Sequence, residues 1–171
     1  MTQIAGVDLG EYHSVTDVFL EACDKYAQKP AFSCMGQTLS FTEMERLTAN
    51  FASYLQNHTD LMVGDRIAIQ LPNVLQFPIA VFGAMRAGMV VVNTNPLYTV
   101  REMEHQFNDS GAKALLILAN MASLAEQVVP KTGIKHVIVT ELADMHPFAK
   151  RLLINTVVKR VKKMVPAYAL P

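Results

Sequence analysis

Residues 66–118, RIAIQLPNVLQFPIAVFGAMRAGMVVVNTNPLYTVREMEHQFNDSGAKALLIL, carry the strongest indication of the fold class. Short runs rich in Ile, Val and Leu alternate with longer stretches of helical periodicity. The run Val90–Asn93 is β-branched without polar alternation, which predicts a strand covered on both faces. Thr99 and Glu102 have the spacing of a capping box, and Gly111 is placed to end the helix that they begin. With a short helix and the run His136–Thr140 added, the order from Arg66 onward is β-α-β-α-β-α-β.

This order predicts an α/β fold with an open, mostly parallel sheet over residues 66–140 and helices on both faces. Parallel strands require helical crossovers, and each crossover covers one face of the sheet. Ligands of such sheets bind beyond the carboxyl ends of the strands. The loops 71–73 and 93–96 lie at two of those ends. They are interpreted either as the lining of a site or as ordinary turns made of Asn and Pro.

A small N-terminal β-hairpin is predicted over residues 31–41, with its turn at Gly36-Gln37. Together with the sheet, this hairpin makes residues 1–144 an α/β subregion. Helix starts are predicted from three further pairs with cap spacing: Ser14 with Asp17, Thr42 with Glu45, and Asn73 with Gln76.

The composition is unusually apolar, with 51% hydrophobic and 18% charged residues, against about 25% charged in a typical globular domain. One interpretation is a well-packed core. The other is an apolar surface that meets another segment or a partner, which predicts self-association of the isolated chain or a homodimer.

The charge is divided unevenly along the chain, although the net charge is zero. All fifteen acidic residues lie at or before Asp144, so residues 1–144 carry −6 and residues 145–171 carry +6. The last 27 residues are predicted to form a basic amphipathic helical tail. Its apolar face holds Ile154, Val157, Val158, Val161, Met164 and Val165, and its basic side holds Lys159, Arg160, Lys162 and Lys163.

These four cations are candidates for contact with an anionic membrane surface, because lysine and arginine complement lipid phosphates while aliphatic side chains enter the acyl boundary. The alternative is a helix that packs its apolar face on its own domain and leaves the cations in water. A nucleic-acid partner is not predicted, since no aromatic side chains are interleaved with the cations.

Common catalytic and nucleotide-binding motifs are missing from the 171 residues. Gly83 and Gly88 have the glycine spacing of a phosphate loop, but Met89 and Val90 replace the required Lys and Ser or Thr. The sequence has neither a GxGxxG nor a GxSxG motif. Glu104 and His105 point about 100° apart on a helix, so they are not predicted to share a metal ion.

The first fourteen residues lack the charged and apolar regions of a signal peptide, and no run approaches the length of a membrane span. These features predict a cytoplasmic protein. The two cysteines, Cys23 and Cys34, are predicted to be reduced thiols rather than metal ligands.

The stretch GDRIAIQLPNVLQFPIAVFGAMRAGMVVVNTNPLYTVREMEHQFNDSGAKALLIL resembles the N-terminal region of adenylate-forming enzymes, and of bacterial long-chain fatty-acid–CoA ligases in particular. The similarity includes the Leu-Pro-Asn turn, Arg86-Ala87-Gly88 and TNPLYT. The early helix SFTEMERLTANFASYL and the ending VKKMVPAYALP are also similar to that subgroup.

The resemblance implies an enzyme that uses ATP and Mg²⁺ to convert a fatty acid into an acyl-adenylate and then transfers the acyl group to CoA. It also implies peripheral contact with the inner membrane. The family's phosphate loop, ribose-binding Asp and catalytic Lys have no counterpart between Met1 and Pro171. The remainder of the adenylating domain and the C-terminal domain are therefore expected to be absent. No catalytic, cofactor-binding or metal residue is assigned, no cofactor is expected to bind this chain, and the chain alone is expected to be inactive.

Two other hypotheses are compatible with the sequence. In the first, the chain is a non-catalytic interaction or membrane-docking module that uses its basic tail. In the second, it is a small nucleotide-binding protein whose site has no recognisable motif.

Overall fold

The computed structural model describes residues 12–170. In chain order, its elements are α1 (Val15–Lys25), β1 (Pro30–Cys34), β2 (Gln37–Ser40), α2 (Phe41–His58), β3 (Arg66–Gln70), α3 (Gln76–Arg86), β4 (Val90–Asn93), α4 (Val100–Ser110), β5 (Ala112–Leu118), α5 (Ala122–Val128), β6 (His136–Thr140) and α6 (Phe148–Thr156). A π-helical turn, Val157–Val161, follows α6 directly. Most of the stretch that bears on a signal peptide, residues 1–11, lies outside the described residues.

The main sheet contains four parallel strands in the order β4-β3-β5-β6, while β1 and β2 form a separate antiparallel hairpin. Helices α2 and α3 pack on one face of the sheet, against Ile67 and Ile69. Helices α4 and α5 pack on the other face, where Ala68 points. The predicted α/β class, the parallel sheet and the small hairpin are therefore confirmed.

The prediction that the β-branched run Val90–Asn93 is covered on both faces is wrong. Strand β4 lies at an edge of the sheet, and the side chain of Val90 is 49% exposed. The strand that is buried at almost every position is β5, because it lies between two strands and has helices on both faces. A β-branched run without alternation does not distinguish an edge strand from a central one.

The hairpin turn lies one residue earlier than predicted. Cys34 pairs with Gln37, so the two turn residues are Met35 and Gly36. Both have left-handed φ angles, 51° and 74°. This is the geometry of the two-residue turn that matches the twist of a hairpin.

Two of the predicted helix caps are confirmed: the hydroxyl of Ser14 accepts a hydrogen bond from the Asp17 N–H, and Thr99 forms a capping box with Glu102. The box predicted at Thr42 is wrong. Helix α2 begins directly after β2, and Ser40 forms the box with Glu43. Thr42 lies inside the helix, and its hydroxyl donates to the carbonyl of Ala27.

The cap predicted for α3 from Asn73 and Gln76 is also wrong. The helix begins at Gln76, and no side chain caps its first turn. The Gln76 amide instead donates to the Thr140 hydroxyl at 3.2 Å and to the Glu141 carbonyl at 2.8 Å. A tertiary contact therefore uses the side chain that the local pattern assigned to a cap.

The C-terminal tail is helical over a shorter range than predicted. Helical structure ends with the π turn at Val161, and Lys163 has a left-handed φ of 51°. Met164 and Val165 therefore do not extend the predicted apolar face. Pro166 accounts for Val165 alone, because a proline disfavours helical geometry in the residue before it.

Polar side chains hold α6 on the domain. The Asn155 side chain accepts a hydrogen bond from the Ala143 N–H at 3.0 Å and donates to Asp144 at 3.2 Å. The Lys150 ammonium donates to the Met35 carbonyl at 2.8 Å. No residue of α6 is fully buried. The tail is thus attached at few points. Ile154, Val157 and Val158 of its predicted apolar face are half-buried, and its four candidate cations are exposed.

The turn between β6 and α6 contains a buried histidine, His146, which is 9% exposed. Its Nδ1 is buried and has no hydrogen-bond partner within residues 12–170. It borders a void of about 10 Å³ shared with Cys34 and Gln76. Burial and then the positive charge of Lys150 lower the pKa of His146. Protonation would therefore place a charged donor where no acceptor is available.

We predict that replacing Gly111 by Ala lowers the free energy of unfolding by about 1–2 kcal/mol or more, because a non-glycine residue is strained in the left-handed region. Gly111 has a φ of 62°, and an added Cβ would lie 2.4 Å from an Arg66 guanidinium nitrogen. Urea unfolding should show a larger loss in the native chain than in an Arg66→Ala background. Equal losses in the two backgrounds would exclude the contact with Arg66 as a cause.

We also predict that acid loosens α6. A lowered pKa of His146 while α6 is packed on the domain gives stability that is fully present above the ordinary pKa of about 6.5. This stability is lost as the pH falls from there through the lower pKa of the packed state. The opening of residues 148–161 should increase by up to about tenfold per pH unit, measured by amide exchange at pH 7.5 and 5.5 and corrected for intrinsic rates.

The substitution His146→Phe should abolish this pH response, while His105→Gln should keep it. Amides of β5 should not respond in any of the three proteins. The same pH response in His146→Phe as in the native chain would contradict the assignment. If the variant is unfolded, an NMR titration in which His146 of the native chain shows its ordinary pKa would contradict it equally.

Candidate functional site

The carboxyl edge of the parallel sheet is where an open α/β sheet places its ligands. The loops 71–73 and 93–96 lie there, after the neighbouring strands β3 and β4. The Asn95 side chain accepts the Leu97 N–H at 3.0 Å, as in an ordinary Asx turn. The fully buried Gln70 donates to the Asn95 carbonyl at 3.3 Å. These contacts fit the interpretation of the second loop as a turn held from below by β3.

A polar network joins the end of β6 to the elements around it. The Thr140 hydroxyl accepts from Gln76 and donates to the Asp144 carboxylate at 2.9 Å. Asp144 also accepts the Glu141 N–H at 2.7 Å and the Asn155 amide. Through this network, the sheet, α3 and the tail helix have a fixed relation to one another.

Two apolar clefts lie beside α3. The larger, of about 460 Å³, lies between the hairpin and α3. The smaller, of about 240 Å³, lies between the helices α2 and α3 and the strands β5 and β6. The larger cleft falls in the usual size range of ligand pockets. Sequence reasoning missed both, since their walls come from segments far apart in the chain. Residues lining the larger cleft include Phe32, Cys34, Val74, Phe77, Val81 and Phe82.

Potential metal ligands do not converge in the part of the chain that the structure describes: no three His, Cys, Asp or Glu side chains within residues 12–170 could hold one ion. Glu102 serves its capping box, and the Thr99 backbone N–H, followed by the Thr99 hydroxyl, lowers the pKa of Glu102. Glu104 forms an ion pair with Lys131 at 3.5 Å. Cys23 and Cys34 are free thiols, and burial raises the pKa of Cys23.

The four candidate cations of the tail are all exposed, but the structure separates them into two pairs. Lys159 and Arg160 lie in the π turn and line a groove along α6. Lys162 and Lys163 lie beyond the turn and do not line it. We call this feature the α6 groove. It has a volume of about 270 Å³ and is lined by Glu141, Phe148, Arg151, Leu152, Asn155, Thr156, Lys159 and Arg160.

Sequence reasoning missed Arg151 as a member of this cationic group. Its position eight residues before Lys159 was a usable signal, because residues spaced by four and eight lie on one side of a helix. The exposed apolar residues of α6 were missed as well. Phe148 is 74% exposed, Leu152 58% and Leu153 65%. No helix within residues 12–170 has the length and apolar character needed to cross a bilayer.

Comparison with known proteins adds the family. Residues 19–168 match the family of AMP-binding enzymes. A long-chain-fatty-acid–CoA ligase of Escherichia coli O157:H7 is 50% identical over 160 residues, which are 94% of this chain and 28% of that protein. A protein of the same name from Haemophilus influenzae is 50% identical over 165 residues, which are 96% of this chain and 29% of that protein. The chain thus spans less than a third of these relatives.

Solved structures agree on the fold. A long-chain-fatty-acid–CoA ligase from Archaeoglobus fulgidus superposes with a TM-score of 0.67 at 25% identity, over 73% of this chain and 27% of that one. A benzoate CoA ligase from Burkholderia xenovorans gives a TM-score of 0.69 at 22% identity, over 81% of this chain and 28% of that one. The family match covers most of the chain and agrees with the resemblance found in residues 64–118, so this chain belongs to the family of AMP-binding enzymes.

Proposed function

We propose that this chain is the N-terminal part of a long-chain fatty-acid–CoA ligase. In the reaction of such a ligase, the fatty carboxylate attacks the α-phosphate of ATP and releases pyrophosphate. The CoA thiol then displaces AMP from the acyl-adenylate. The observation that carries the proposal is the 50% identity to a protein of that name over 94% of the chain. A carboxylate is a poor electrophile, and adenylation gives it a good leaving group.

Residues 12–170 provide no cluster of potential metal ligands, and the sequence has no lysine-ended phosphate loop. We therefore assign no chemical step to them. Under this proposal, the chain supplies the parallel sheet, its covering helices and the carboxyl edge, while the reacting groups come from the part of the relatives that this chain does not match.

A hybrid enzyme tests the proposal. Residues 1–171 replace the matching N-terminal segment of the Escherichia coli O157:H7 relative, and formation of palmitoyl-CoA from palmitate, ATP and CoA is measured. We expect activity, because half of the replaced positions are identical and the scaffold is the same. We also expect the isolated chain to self-associate through its exposed apolar surface, whereas the hybrid should stay unassociated. Light scattering measures this difference.

A matched hybrid with Leu115→Asp is the control. Leu115 is fully buried in β5, so a charge there should abolish folding and activity together. A hybrid that unfolds cooperatively like the relative but forms no palmitoyl-CoA would refute the proposal.

We propose a second role, docking on the cytoplasmic surface of the inner membrane, for the tail helix and the segment that follows it. The observation that favours it is exposure of both kinds of side chain that membrane contact requires. Phe148, Leu152 and Leu153 are more than half exposed, and six cations with no compensating acid occur after Asp144.

Vesicle co-sedimentation tests the second role. Binding to phosphatidylglycerol-containing vesicles should exceed binding to pure phosphatidylcholine vesicles and should weaken with salt. The double change Lys162→Glu with Lys163→Glu should weaken it at least about fivefold per charge, since each cation near the surface contributes about 1 kcal/mol. The matched control, Arg46→Glu with Arg101→Glu, changes two exposed arginines outside the tail. Equal binding to both kinds of vesicle would exclude membrane docking by this route.

A further inference from the structure

The α6 groove is a cationic concavity rather than a flat charged face. Arg151, Lys159 and Arg160 line it, and none of the three forms an ion pair within residues 12–170. Glu141 is the single carboxylate among its lining residues, so the lining carries a net charge of +2. Unpaired cations around one small volume create a positive potential that favours an anion.

The π turn brings two of these cations to the same groove. The Lys162 N–H donates to the Val157 carbonyl at 2.8 Å, five residues earlier. Such a turn adds one residue to each helical repeat. Consecutive side chains are therefore separated by a smaller angle than in an α-helix, and both Lys159 and Arg160 reach the groove. Single π turns of this kind occur frequently at functional sites.

The floor of the groove is held in place before any ligand binds. Asn155 lines the groove while its side chain holds the Ala143 N–H and the Asp144 carboxylate. The lining cations can therefore bind a ligand without a rearrangement of the helix. Thr156 adds a hydroxyl to the lining, and this hydroxyl can donate to an oxyanion.

The rim of the groove is apolar. Phe148 and Leu152 line it and are 74% and 58% exposed. A free phosphate ion would leave these two side chains in water. A phosphate that carries acyl chains would bind the cations and cover the apolar side chains at the same time.

We propose that the α6 groove binds the phosphate of an anionic phospholipid headgroup, with Phe148 and Leu152 entering the acyl boundary of the same lipid. The guanidinium groups of Arg151 and Arg160 suit phosphate oxygens because their planar donors can bind two oxygens at once. This inference rests on the membrane-docking role proposed above and refines it, since it assigns the recognition to the groove and not to cationic charge in general.

Two double variants with the same loss of charge test the assignment. Lys159→Gln with Arg160→Gln removes groove cations, and Lys162→Gln with Lys163→Gln removes neighbouring cations outside the groove. Binding to phosphatidylglycerol-containing vesicles should fall at least about tenfold more in the groove pair, because charge-assisted hydrogen bonds are lost in addition to general attraction. All four side chains are exposed, so circular dichroism should show unchanged helix content.

A second comparison tests the apolar rim. Leu152→Ser should weaken vesicle binding, whereas Leu153→Ser should have a smaller effect, since Leu153 is slightly more exposed but lies outside the groove. Inorganic phosphate should compete weakly and should bind the chain far less tightly than the vesicles do.

The outcomes separate the two proposals. Equal losses in the two double variants would refute the groove and leave general membrane attraction standing. No preference for anionic vesicles in the native chain would refute both. Tight binding of inorganic phosphate without any vesicle binding would overturn the lipid as the source of the phosphate.

Discussion

The fold depends on the pairing of β3 with β5 at the centre of the parallel sheet. Ile67, Ile69 and Leu115 are fully buried in these two strands, and the strands lie in register from Ile67 opposite Ala114 onward. Each crossover must return over one face of the sheet, so α3 and α4 cover opposite sides of this pair. The polar network at the carboxyl end of β6, which holds α6, is therefore positioned by this sheet.

The sequence predicts this sheet well because its signals are local. The Thr99–Glu102 box and Gly111 mark a helix by side-chain and backbone geometry within a few residues. Prediction failed where a tertiary contact takes a residue away from its local pattern. The Gln76 side chain donates hydrogen bonds to residues at the end of β6 and does not cap a helix. Thr42 bonds Ala27 while Ser40 caps α2. The run Val90–Asn93 has the composition of a central strand, but it lies at an edge of the sheet.

The candidate sites likewise combine features that are visible in the sequence with features that only the fold creates. Charge counting finds Lys159, Arg160, Lys162 and Lys163, since charge is visible in the sequence. It does not show that a π turn brings the first two into a groove with Arg151 and leaves the last two outside. The cleft between the hairpin and α3 is invisible to sequence patterns because its walls are more than thirty residues apart. The missing phosphate loop, in contrast, is visible in the sequence itself.

We propose that these residues are the scaffold of an adenylating enzyme and hold none of its reacting groups. Palmitate-dependent exchange of labelled pyrophosphate into ATP by the purified chain, free of host ligase, tests it most directly. We expect no exchange above that of a chain-free control. Exchange that requires palmitate and copurifies with residues 1–171 would contradict the account.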